Sequence, residues 1–141
     1  MKLDKVLYTA EATSTGGREG KTTSSDKSFD LNLTTPKGLG GNGAAGANPE
    51  QLFAAGYSAC FIGAMKVAAG QTNVTLPNDL AVNAKVGIGP IAVGYSVSVD
   101  MTISGSGIEK SVLEAVVEKA HDICPYSNAT RGNIDVTFKV I

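Results

Sequence analysis

Tryptophan is absent from this 141-residue chain, histidine occurs once, cysteine twice, and aromatic residues make up only 6% of it. Arginine stands at Arg18 and Arg131 alone. Neither sign of charge is in excess: 12 Lys+Arg face 13 Asp+Glu, a net charge of -1. A phosphate backbone or an anionic lipid surface is therefore no natural partner. The paired C-x-x-C spacing of a zinc site is missing; His121 and Cys124 would make half of one, with Cys60 as a third ligand. His121 also reads as an ordinary histidine favoured by a helix C-terminus. Asp4, Lys5 and Glu11 interrupt any apolar leader, so no export is expected. The most apolar run, Leu52 to Met65, ends at Lys66, short of ~30 Å of hydrocarbon; it reads as a buried core helix, and no membrane span is expected. The chain is thus placed in a reducing cytoplasm, where Cys60 and Cys124 are inert core thiols, metal ligands or redox groups rather than a stable staple.

What is present is a globular pattern. Hydrophobic residues reach 43% and recur along the whole chain, and the length fits one domain, residues 1–141, by the prior of ~100–200 residues each. Leu3 to Ser14 and Glu19 to Ser25 read as a hairpin around Thr15-Gly16-Gly17-Arg18, with Phe29, Leu31 and Leu33 as a half-buried third strand. A Gly-rich loop, Pro36 to Ala47, contains a formal G-x-G-x-x-G. It neither opens a helix nor precedes a suitably placed acidic residue, so it reads as a flexible or binding loop rather than a nucleotide site. Asn48 as N-cap, Pro49 and Glu50 then open a long helix to about Ala69, apolar nearly all round and rich in small residues, with Gly70 as the expected C-cap. Leu80 to Gly87 and Ala92 to Ser104 alternate as strands linked through Gly89-Pro90. A second helix runs from about Glu109 to Ile123, ended by Cys124-Pro125, and Asn133 to Ile141 forms a last strand.

Cys60 lies too deep in the central helix for the helix dipole to act on it, and burial raises a thiol above its usual ~8.5. A reactive thiolate there needs a fixed positive charge. One such charge at ~4 Å and an effective dielectric of ~20 supplies ~4 kcal/mol, about three pKa units. Arg18, beside the hairpin turn, is a candidate, and Glu50 could orient it by a bidentate salt bridge. Equally, Arg18 and Glu50 fit ordinary surface charges, and Cys60 a buried free thiol. Gly56-Tyr57-Ser58-Ala59-Cys60 misses the hydrolase elbow at its last position and lies inside a helix. The sequons at Asn32, Asn73 and Asn128 carry no meaning without secretion.

Three separated segments carry a resemblance: TGGREG (residues 15–20), NPEQLFAAGYSACF (48–61) and CPYSNATRGN (124–133). In that order they resemble the organic hydroperoxide resistance branch of the OsmC/Ohr thiol peroxidase family, over nearly the whole chain. Glu19 and Lys27-Ser28 depart from the family's usual residues. The resemblance implies an α+β fold, a long central apolar helix wrapped by antiparallel β-sheets in an intertwined homodimer. It implies that Cys60 is the peroxidatic and Cys124 the resolving cysteine, activated by Arg18 and Glu50. Organic hydroperoxides would be reduced to alcohols through a Cys60 sulfenic acid and a Cys60–Cys124 disulfide. Dihydrolipoyl groups on lipoylated proteins, or a small dithiol, would restore the thiols with no metal or other cofactor. Leu52, Phe53, Tyr57 and Phe61 would form an apolar lining for alkyl or fatty-acid substrates. A redox sensor using the same disulfide, or a binding module with a structural Cys60, are the alternatives that turnover with a dithiol would separate.

Overall fold

The computed structural model describes residues 1–141, which divide into two compact units, Met1–Pro49 and Glu50–Ile141. In the first, β1 (Ala12–Thr15), β2 (Lys21–Ser24) and β3 (Asp30–Asn32) form an antiparallel sheet in that order. The register runs from Ala12 opposite Ser24 to Thr15 opposite Lys21. The β1–β2 connection is a 3-10 turn, Gly17–Glu19, entered through Gly16 at φ 69°. It closes so tightly that a Cβ on Gly20 would lie 1.8 Å from the Thr15 carbonyl oxygen, so only glycine fits there. Arg18 is the middle residue of this turn.

The first strand is shorter than the alternation from Leu3 predicts. Ser24, Asp26 and Ser28 fold β2 back on itself: the Ser24 hydroxyl and the Ser28 amide both donate to the Asp26 carboxylate, holding it down at about 2. Beyond the bond from the Ser25 amide to the Glu11 carbonyl, nothing in this sheet lies opposite residues 1–10. The Gly-rich segment is tied at its base: Leu33 bridges Ala47, and the Thr34 amide donates to the Ala47 carbonyl at 2.9 Å.

The second unit contains α1 (Pro49–Gln71), β4 (Ala81–Pro90), β5 (Tyr95–Ser104), α2 (Lys110–Ile123), α3 (Pro125–Thr130) and β6 (Val136–Val140). At 1.5 Å per residue α1 is ~35 Å long. Its length and composition alone would allow a membrane span, contrary to the estimate from Leu52–Met65. Its packing identifies it as a core helix: Tyr57, Phe61, Ala64, Met65, Ala68 and Ala69 are buried with β5 and α2. Gly70 does not cap it. The helix runs on to Gln71, Asn73 takes the left-handed conformation at φ 52°, and the Val74 amide reaches back to the Ala69 carbonyl at 2.9 Å, a Schellman closure.

β4 and β5 pair antiparallel from Ala81–Ser104 to Pro90–Tyr95. Their turn is Ile91–Gly94, closed by the Ile91 amide on the Gly94 carbonyl with Gly94 at φ 87°, rather than the Gly89-Pro90 of the sequence reading. β6 lies parallel to β5, Val99 opposite Val136 and Ile103 opposite Val140, so this sheet is mixed, not wholly antiparallel. The α2–α3 crossover carries the chain back to the starting end of β5, which makes the next strand run the same way. Val99, Met101 and Ile103 share the buried face of β5 with Leu113, Val116, Val117 and Ala120 of α2.

Candidate active site

Cys60 stands midway along α1, half-buried, and Cys124 at the junction of α2 and α3, fully buried; both are free thiols. Cys124 occupies an extended conformation, φ -63° and ψ 124°, shared by the end of α2 and the start of α3. Pro125 disfavours a helical residue before it and suits the first position of the helix after it. The Cys124 amide still donates to the Ala120 carbonyl at 2.8 Å, while its carbonyl accepts from the Asn128 amide at 2.9 Å. A single extended residue thus ends one helix, starts the next and turns its side chain into the core.

That bend brings the two sulfurs together. The Cys60 thiol has the Cys124 thiol and the Tyr126 amide as neighbours. Pro125 has no N–H, so Tyr126 supplies the first amide after Cys124, and the opening turn of a helix leaves such amides without a helical partner. Burial pushes the Cys60 thiol above its ordinary range, the neighbouring Cys124 adds to the rise, and the Tyr126 amide opposes it. Cys60 therefore needs a cation to become a thiolate near neutral pH.

The residues singled out in the sequence are distributed as follows. Glu50 lies in the first turn of α1; the ten residues to Cys60 amount to ~15 Å of helical rise, so the carboxylate acts on the sulfur only through another group. Arg18 belongs to the Gly17–Glu19 turn of the first unit. Leu52 is exposed and Phe53 half-buried, whereas Tyr57 and Phe61 have no accessible surface. Phe61 stacks on Phe138 at 5.0 Å. Tyr57 stacks on Tyr126 at 5.5 Å, and Phe53 meets both rings edge-on at 6.0 Å. A Cβ on Gly56 would stand 2.9 Å from the Tyr126 hydroxyl, so the glycine leaves room for this cluster beside the thiols.

Arg131 is engaged elsewhere: its guanidinium donates to the His121 carbonyl and, at 2.6 Å, to the Asn128 side chain, clamping α3 to the end of α2. The His121 ring packs against Phe138 at 4.8 Å rather than joining the two thiols, and no trio of His, Cys, Asp or Glu is assembled. Sequence reasoning missed α3 with its Ser127 and Thr130, and the Tyr126 amide. The only signal for them was Cys124-Pro125 followed by small polar residues.

The OsmC-like protein family model matches residues 40–139. An organic hydroperoxide resistance protein of Xanthomonas axonopodis pv. citri is 58% identical over 134 residues, 95% of this chain and 94% of the relative. The organic hydroperoxide resistance protein OhrA of Bacillus subtilis is 42% identical over 98% of this chain and 99% of its own. A solved structure from Vibrio cholerae, described as a putative organic hydroperoxide resistance protein with captopril in one of its active sites, superposes with a TM-score of 0.90 at 44% identity, covering 99% of this chain and 95% of that one. Sequence and fold agree: the chain belongs to the OsmC-like family, in its organic hydroperoxide resistance branch.

Proposed function

We propose that this protein is a thiol peroxidase that reduces organic hydroperoxides and so serves organic hydroperoxide resistance. The observation that carries the reading is that a half-buried Cys60 thiol has a buried Cys124 thiol as its neighbour inside one chain. The Cys60 thiolate attacks the peroxide's O–O bond, taking one oxygen as a sulfenic acid while the other leaves, with a proton, as the alcohol. The Cys124 thiol condenses with the sulfenic acid, releasing water and forming the Cys60–Cys124 disulfide. A dithiol, such as a dihydrolipoyl group on a lipoylated protein, then returns two hydrogens by exchange. Arg18 supplies the charge that overcomes the raised Cys60 pKa, and Glu50 orients it. Residues 1–141 act on this reading as one catalytic domain.

Leu52 and Phe53 meet the alkyl group of the substrate, with Tyr57 and Phe61 as the wall behind them. α1 supports a homodimer: Ala55, Ala59 and Gly63 form an exposed small-residue stripe at four-residue spacing on an otherwise core helix, a surface on which a second copy's backbone can pack closely. A cytoplasmic location suits two thiols that must cycle. The test is a steady-state peroxidase assay with dihydrolipoamide, comparing tert-butyl hydroperoxide, a fatty-acid hydroperoxide and hydrogen peroxide. Turnover should be fastest with the organic peroxides. Stoichiometric oxidation without turnover would favour a sensor, and no oxidation a binding module.

A further inference from the structure

α3 has six residues, too few for a helix to hold itself by backbone bonds alone, so its position must come from tertiary anchors. Arg131 and Asn128 tie it to the end of α2, Asn128 by donating to the Asp122 carbonyl. A separate anchor comes from α1. Tyr57, three residues before Cys60 and therefore on the same side of the helix, sends a fully buried hydroxyl onto Ser127 Oγ at 2.9 Å and Thr130 Oγ1 at 3.1 Å.

The direction of these bonds is set by counting protons. The Thr130 hydroxyl has one, and it goes to the Tyr126 carbonyl at 2.9 Å, an acceptor only. Tyr57 must then donate to Thr130, and Ser127 to Tyr57. The chain Ser127 to Tyr57 to Thr130 to the Tyr126 carbonyl crosses from α3 to α1 and back. It ends on the residue whose ring stacks on Tyr57 and whose amide neighbours Cys60. The Tyr57 hydroxyl is thus the polar link between the helix carrying Cys60 and the segment that begins at Cys124.

We propose that Tyr57 is a positioning residue for the resolving half-reaction: its buried hydroxyl pins α3 to α1 and thereby holds Cys124 against Cys60. The chemistry assumed is that of the peroxidase reading, but the pin itself can be tested apart from it. Tyr57→Phe keeps the stacked ring and leaves the Ser127 and Thr130 hydroxyls without their buried partner, which favours a displaced α3.

The full-length reduced parent and Tyr57→Phe are oxidised with tert-butyl hydroperoxide and, separately, with diamide, which takes one hydrogen from each thiol and becomes the hydrazine. Disulfide and sulfinic acid are quantified by mass spectrometry. Tyr57→Phe should form the Cys60–Cys124 disulfide about ten-fold more slowly with both oxidants. It should also accumulate Cys60 sulfinic acid at peroxide concentrations that convert the parent to disulfide alone. A hydroxyl that merely stabilised the fold would lower the melting temperature and leave the ratio of disulfide to sulfinic acid unchanged; that result overturns the proposal. Should Tyr57→Phe fail to fold, the Ser127→Ala and Thr130→Val double variant removes the same two bonds from the other side, and parental diamide kinetics there overturn it equally. A parent that closes the disulfide with diamide yet ignores peroxide refutes the peroxidase reading, and the diamide rates alone then decide the pin.

Discussion

Cys60 and Cys124 are neighbours within one chain, although one stands midway along α1 and the other at the junction of two later helices. This proximity follows from Pro125, which holds Cys124 out of helical geometry and turns a helix end into a bend. Arg131, just past the end of α3, is held on the His121 carbonyl and the Asn128 side chain.

Replacing the attacking sulfur separates chemistry from packing. Cys60→Ser should abolish peroxide reduction while far-UV circular dichroism stays parental, because a serine hydroxyl is not ionised near neutral pH. The assay is loss of tert-butyl hydroperoxide with dihydrolipoamide as reductant; residual turnover close to the parent's contradicts the role.

The raised Cys60 thiol must be brought down by charge. Arg18→Ala should raise the thiol pKa further and slow peroxide reduction severely; Glu50→Ala should do the same to a smaller extent, since it orients the charge rather than supplying it. Thiolate absorbance against pH measures both. If each variant titrates like the parent, Arg18 does not act on the reduced sulfur.

His121 gives a distinct pH signature. Burial, reinforced by the nearby Arg131, holds its pKa below the ordinary histidine value, and its Nδ1 is buried without a partner. The unfolded chain therefore binds a proton more readily than the folded one. The stability linked to neutral His121 is present above pH ~6.5 and is lost as pH falls from there through the folded-state value. Chemical denaturation at neutral and mildly acidic pH should show this loss in the parent and a smaller one in His121→Gln.

Association is tested by sedimentation. A dimer at micromolar concentration is expected, and Ala59→Leu or Gly63→Leu on the exposed stripe of α1 should weaken it, as backbone approach there leaves no room for a large side chain. A folded parental monomer contradicts the assembly.

Legibility in the sequence followed the reach of each physical signal. Pro49, Glu50 and a continuous apolar run made α1 readable; its end was not, because Gly70 offered an obvious stop while the left-handed residue proved to be Asn73. The alternation of Val136, Phe138 and Val140 marked β6 but is the same for parallel and antiparallel pairing, so its direction depended on a crossover the pattern does not encode. Six residues carry too little periodicity to reveal α3. Cys60 and Cys124 stood out by rarity and by their surrounding motifs. The Tyr126 amide and the Tyr57 hydroxyl did not, since a backbone donor has no sequence signature and a tyrosine in an apolar helix reads as core or lining.

The central claim, that Cys60 is oxidised by peroxide and resolved by Cys124 of the same chain, is tested most directly by mass spectrometry of the reduced protein after one equivalent of tert-butyl hydroperoxide. The parent should lose two hydrogens and yield a single cross-linked peptide pair joining Cys60 to Cys124 within one chain, while Cys124→Ser should gain oxygen at Cys60 and pass to the sulfinic acid as peroxide rises. Unmodified thiols, or a disulfide found only between chains, would contradict the account.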